Sequence, residues 1–146
     1  MALYLIVAHQ TAASPELVER VRALADRDPG AGFALLVPAT PAAHLLQTWD
    51  ETEVREIAKR QARAAMDALA AVGVELVSAR IGDPAPLLAI DDELREHPGY
   101  TGIVLSTFPP GISRWLHNDL PSRLRRRLTI PVEHVIAQPA PAPSTA

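Results

Sequence analysis

The stretch richest in groups able to hold an anion is Ser106-Thr107-Phe108-Pro109-Pro110-Gly111-Ile112-Ser113-Arg114. Hydroxyls donate to phosphate or carboxylate oxygens, a glycine lets backbone come close, and a guanidinium offers a planar fork of N–H groups. Ser113 is placed to open a short helix, so its amides and hydroxyl would meet one phosphate while Arg114 clamps it, with Ser106 and Thr107 adding donors. The same residues also build a plain proline-stiffened turn in which Arg114 pairs with a surface acid such as Asp119. His9-Gln10 is the second group: an imidazole that titrates near neutrality can hydrogen-bond an adenine or ribose, and it can equally be a loop histidine without a ligand. Val37 and Gly82-Asp83 complete the candidate set by position, since each falls at the C-terminal end of a predicted strand.

Other chemistries are excluded by residue type or spacing. The chain has no cysteine, which removes thiolate metal sites, disulfides and a sulfur nucleophile. His44, His97, His117 and His134 show no pairing at metal-ligand spacing, so no metal is expected. Asp91 and Asp92 diverge by about 100° on a helix and make a poor catalytic dyad. No phosphate-binding P-loop, nucleophile elbow or dinucleotide fingerprint occurs, and Gly30-Ala31-Gly32 precedes a strand instead of opening a helix. No catalytic residues are therefore expected. The weakest reading is a hydrolase that uses His9 with Ser106 or Ser113.

A net charge of −3 argues against a general nucleic-acid binder, whose affinity rests on a strongly basic face. Arg123, Arg125, Arg126 and Arg127 crowd one short segment and read as a solvated helix face. No apolar run approaches the roughly 20 residues that span a bilayer. Met1 to Ala8 is apolar, only about a strand long, and reads as structure, so a cytoplasmic location is expected.

Four apolar runs must carry these groups. Leu3 to Ala8 and Phe33 to Val37 are continuously apolar, as strands buried on both faces of a parallel sheet are. Val74 to Ile81 reads as a third strand and Thr101 to Ser106 as a fourth. Thr129 to Ile136, with Pro131 and alternating polar residues, reads as a fifth strand at an edge. Between them, Ser14-Pro15 opens a helix that carries Leu17, Val21 and Leu24. A loop through His44 and Trp49 leads to Asp50, which caps the longest helix, with Val54, Ala58, Ala62, Ala65 and Leu69 on one face and Gly73 as its stop. Gly82-Asp83-Pro84 starts a third helix. Ser113 starts a short fourth helix, and Asp119 caps a fifth with Pro121 in its first turn. Trp49 and Trp115 read as core or interface anchors. The chain divides into one domain, 1–137, and a Pro/Ala tail, 138–146.

Alternating strands and helices specify a parallel sheet with helices on both faces, and ligands in such sheets bind beyond the carboxyl ends of the strands. The element order, Gly82-Asp83-Pro84 before a helix bearing Ile90, and the closing Ile130-Pro131-Val132 strand together resemble the universal stress protein family over nearly the whole chain. The resemblance implies a three-layer α/β/α domain with sheet order 3-2-1-4-5. It also implies regulatory use without turnover and homodimerisation through the fifth strand at Val132, His134 and Ile136. The family's ATP-binding members carry an acid after strand one and a G-x-x-G-x9-G-[ST] loop after strand four. Here Ser106 and Pro109 stand at the first two glycines, Asp119-Leu120 at the Gly-Ser pair, and Ala8 or His9 at the acid. Proline offers no N–H, and an Asp119 carboxylate at the helix start would repel phosphate. The resemblance is thus closest to a divergent subgroup with Pro-Pro-Gly after strand four. The expected ligand is a small molecule such as ATP or AMP at the ends of strands one and four, and the alternative is a structural or protein-interaction domain.

Overall fold

The computed structural model describes residues 2–41 and 50–139. His44, Trp49 and the tail beyond Pro139 lie outside the described residues. Five parallel strands, β1 (Leu3–Val7), β2 (Gly32–Pro38), β3 (Ser78–Gly82), β4 (Gly102–Thr107) and β5 (Val132–Ile136), form one sheet in the order β3-β2-β1-β4-β5. The helices are α1 (Pro15–Arg27), α2 (Glu51–Ala70), α3 (Pro86–Glu96), α4 (Arg114–His117) and α5 (Leu120–Arg127).

The alternation of side chains along the strands builds two separate cores. Ile6, Ala8, Leu35 and Val37 point toward α1 and α2, where they meet Leu17, Val21, Ala58 and Leu69. Leu5, Val7, Leu36 and Leu105 point the other way, toward Ile90, Trp115, Leu120 and Leu124 of α3, α4 and α5. A strand covered on both faces has no polar face, which is why β1, β2 and β4 read as unbroken apolar runs.

Local chemistry sets most element ends. Ser14 accepts from the Leu17 amide at 3.2 Å, and Asp50 accepts from the Thr52 amide at 2.9 Å. Gly73, at φ 85°, closes α2: its amide donates to Ala70 O and the Val74 amide to Leu69 O, the paired bonds of a Schellman ending.

Several placements differ from the sequence expectation, among them β5, which begins at Val132 instead of Thr129. Pairing of β3 with β2 begins at Ala34↔Ser78, so Val74 to Leu76 precede the strand; Val74 is buried because it completes the ending of α2. The third helix starts at Pro86 instead of following Asp83. Ala85 precedes a proline and is held extended at φ −82°, ψ 114°, while the Asp83 carboxylate accepts from the Ala85 amide at 2.9 Å. Asp119 occupies the cap of α5 but sits in the left-handed region at φ 51° and makes no side-chain cap bond, so its carboxylate does not fill the start of that helix.

In β5 the bonds Ile103 N→Pro131 O and Ala137 N→Thr107 O turn odd-numbered backbone groups toward β4 and even-numbered ones toward the free edge. The Arg125 guanidinium covers one of those edge groups, Val132 O, at 3.1 and 3.3 Å.

Candidate functional site

The sheet order reverses between β1 and β4, and the loops leaving their C-terminal ends separate there. A cleft of about 210 Å³ opens at this point. Its floor comes from His9, Gln10 and Thr11 after β1 and from Ser106 and Thr107 at the end of β4. Thr40 and Pro41 after β2, with Ser113, Arg114 and Trp115 at the start of α4, line its wall.

Apart from the exposed Gln10, the floor is polar yet buried. Thr11 Oγ1 and Ser106 Oγ share a hydrogen bond of 2.7 Å and are 3% and 1% exposed. The Thr107 hydroxyl donates to its neighbour Phe108 O at 2.7 Å and lies 2.8 Å from His134 Nε2. With its one proton directed at Phe108, the hydroxyl accepts from His134, which fixes the Nε2–H tautomer on β5. His9 differs from all of these. It is 7% exposed, and its Nε2 is buried with no hydrogen-bond partner among the described residues. Burial pushes its pKa below the ordinary histidine value, so at neutral pH the ring is uncharged and can donate or accept. Burial, and then the nearby Arg125, lower His134 in the same direction.

The wall is braced by a relay. Trp115 Nε1 donates to Thr40 Oγ1 at 3.3 Å, and Thr40 Oγ1 donates to Pro84 O at 2.7 Å. Helix α4 and the loops after β2 and β3 are thereby locked together. Arg114 at the rim is exposed and has no carboxylate partner among the described residues, Asp119 included.

Of the sequence candidates, His9, Gln10, Ser106, Thr107, Ser113 and Arg114 line the cleft. Val37, Gly82, Asp83, Pro110 and Gly111 lie outside its lining. Val37 is fully buried toward α1 and α2. Gly82 serves packing: a Cβ there would stand 2.8 Å from Ala89 Cβ and 3.0 Å from Leu36 Cδ1, so glycine lets α3 ride against the sheet. Asp83 holds the turn into α3. Pro110 and Gly111, the latter at φ 92°, form an exposed turn in which the Ile112 and Ser113 amides both donate to Pro109 O at 3.1 Å. Those two amides are consequently not free for a phosphate. His9 Nε2 bonds to neither Ser106 nor Ser113, and the Ser106 hydroxyl is engaged by Thr11. Thr11, Thr40, Pro41, Phe108 and Ile112, absent from the sequence candidates, also line the cleft, as does Trp115. Position after β2 was the available signal for Thr40.

No group of three or more His, Asp or Glu side chains among the described residues could hold a metal ion. Among them no helix is long and apolar enough to cross a membrane.

These features define a doubly wound α/β domain with a polar-floored cleft at its switch point. Its architecture is similar to that of universal stress proteins. The chain is similar to a universal stress protein from Archaeoglobus fulgidus, with TM-score 0.61 and 15% identity over 92% of this chain and 98% of that one. It is similar as well to a protein of the universal stress protein family from Burkholderia pseudomallei, with TM-score 0.62 and 16% identity over 93% and 96% of the two chains. At this identity the likeness concerns the fold. No protein-family profile and no curated protein sequence matches the chain.

Proposed function

We propose that this domain is a non-enzymatic, cytoplasmic regulatory module of universal stress protein type that binds a small anionic ligand, represented by AMP, beyond β1 and β4. The observation that carries this reading is the unpartnered Nε2 of His9 at the floor of a cleft rimmed by the unpaired Arg114. A buried nitrogen without a partner costs free energy of about 1–3 kcal/mol, and a ligand group restores the bond. A neutral imidazole suits the edge of a base or a ribose hydroxyl, and a guanidinium suits a phosphate. Ligand pockets commonly run to about 300–1,000 Å³. A cleft of about 210 Å³ with no amide at Pro109 or Pro110 therefore favours a monophosphate over ATP.

The same reading includes a homodimer through the free edge of β5. Val132 is buried in the core and His134 is tied to Thr107, so the exposed apolar side chain offered there is Ile136, at 41%. The outward backbone groups of His134 and Ile136 supply the pairing surface.

Calorimetric titration with AMP and ATP tests the ligand. AMP is expected to give saturable heat and to bind more tightly than ATP. Loss of one charge-assisted bond in Arg114→Ala should weaken AMP by about 10- to 100-fold. Silence with every nucleotide overturns the proposal and favours a domain whose cleft is part of a protein-interaction surface.

A further inference from the structure

Beside the cleft, and outside its floor, a larger groove of about 710 Å³ runs between α3 and the α4–α5 pair. The two cavities share only the wall made by Thr40, Arg114 and Trp115. The groove is apolar along its length: Leu87, Leu88 and Leu120, the ring of Trp115, and Pro84 and Pro86 all line it. Leu88 is 47% exposed, one of few large apolar side chains left in solvent.

Its polar margin holds Thr40, His117 and Asn118 together with three charged groups, two of them guanidinium. Arg114, Arg123 and His117 line it, and neither arginine has a carboxylate partner among the described residues. Asp91 is the one acid, and Arg127 already neutralises it at 2.5 Å. Two uncompensated guanidinium groups above an apolar trough complement a molecule with an anionic head and an apolar body. A neutral apolar molecule would leave the cations unmatched, and a polyanion such as ATP would leave the trough wet.

We infer that this groove is a second ligand site, for a small amphipathic acid: a carboxylate or phosphate on a short acyl or aryl body, head between Arg114 and Arg123, body along Leu87, Leu88 and Trp115. The site does not depend on the AMP reading, although Arg114 borders both cavities. Its volume is that of an ordinary small-molecule pocket. The brace from Trp115 through Thr40 to Pro84 preforms one side, which limits the ordering cost of binding.

The test is calorimetric titration of the full chain with hexanoate, octanoate and decanoate below their micellar concentrations, and with 1-decanol as a neutral control. Each added methylene should tighten binding by about fourfold, the equivalent of ~0.8 kcal/mol, and decanol should bind at least tenfold more weakly than decanoate. Leu88→Asp, at an exposed position, should abolish decanoate binding while leaving AMP heats as they are in the parent chain. Arg123→Ala should weaken decanoate and not decanol. Absence of binding, an affinity independent of chain length, or decanoate binding untouched in Leu88→Asp each overturns the inference. AMP silence with length-dependent acid binding refutes the cleft reading alone, and the converse refutes this one alone.

Discussion

Replacing His9 by leucine should move stability and ligand affinity in opposite directions. The two side chains have similar volume, so the substitution removes a buried, unpartnered nitrogen without opening a cavity. Relieving an unsatisfied buried polar atom is worth about 1–3 kcal/mol, and imperfect fit of the branched chain offsets part of it. A net gain of about 1 kcal/mol at pH 7.5 corresponds to a rise in Tm of about 2–4 °C for a domain of this size.

The pH dependence carries an independent signature. The folded-state pKa of His9 is lowered by burial, so the unfolded chain binds the proton more readily. Stability contributed by the neutral ring is complete above the unfolded value of about 6.5 and is lost as pH falls below it, by at most about 1.4 kcal/mol per pH unit. His134 is lowered too and keeps its own share of that slope in the variant. Urea unfolding from pH 7.5 to 5 should therefore show a steep decline in the parent and a shallower one in His9→Leu. AMP titration should show a loss of about 2- to 12-fold, one ordinary hydrogen bond. A variant that melts below the parent, declines equally with pH and binds AMP equally well would refute the idea that His9 is held unsatisfied for a ligand.

Two further expectations concern the scaffold and the edge. Gly82→Ala sets a Cβ 2.8 Å from Ala89 Cβ, so α3 must shift, and chemical denaturation should show a loss of about 1–3 kcal/mol; an unchanged midpoint would mean that the α3 contact is soft. Sedimentation at tens of micromolar should give twice the 15.7 kDa chain mass, and Ile136→Lys should reduce it to the single mass; a parent that sediments as a monomer removes the β5 dimer.

The sheet was legible because its chemistry is local. Leu3 to Val7, Phe33 to Val37 and Ile103 to Leu105 are apolar at every position, a pattern only double burial produces, and Ser14, Asp50 and Gly73 mark their helix ends by direct bonds. Errors arose where two signals competed. Val74 to Leu76 looks like strand, but its apolar character serves the end of α2. Pro84 and Pro86 both suit a first helical turn, and the restriction on Ala85 decides for Pro86. The cleft was half legible. Topology brings the ends of β1 and β4 together, which gathers His9, Ser106 and Thr107. Val37, by its two-residue step from Leu35, points into the α1–α2 core, and that parity was readable in advance. The Thr40–Trp115 contact joins a loop to helix α4 across 75 residues of sequence and leaves no local trace.

How the cleft is braced explains why the free groups matter. Thr107 is held from below by His134 and from above by Phe108 O, and Thr11 holds Ser106. Trp115 and Pro84 hold Thr40 from either side. Each of these hydroxyls already has a protein partner, so a ligand gains little from them beyond remaining acceptor capacity, and their main effect is to keep the walls in place. His9 Nε2, the Arg114 guanidinium, the Gln10 amide and the Ser113 hydroxyl line the same space without side-chain partners among the described residues, and of these His9 is the buried, neutral ring and Arg114 the exposed charge. A preformed wall lowers the ordering cost of association, and unpaired groups supply its favourable enthalpy. Specificity should accordingly concentrate in these unpartnered residues, and substitutions at Ser106 or Thr11 should act through the shape of the floor.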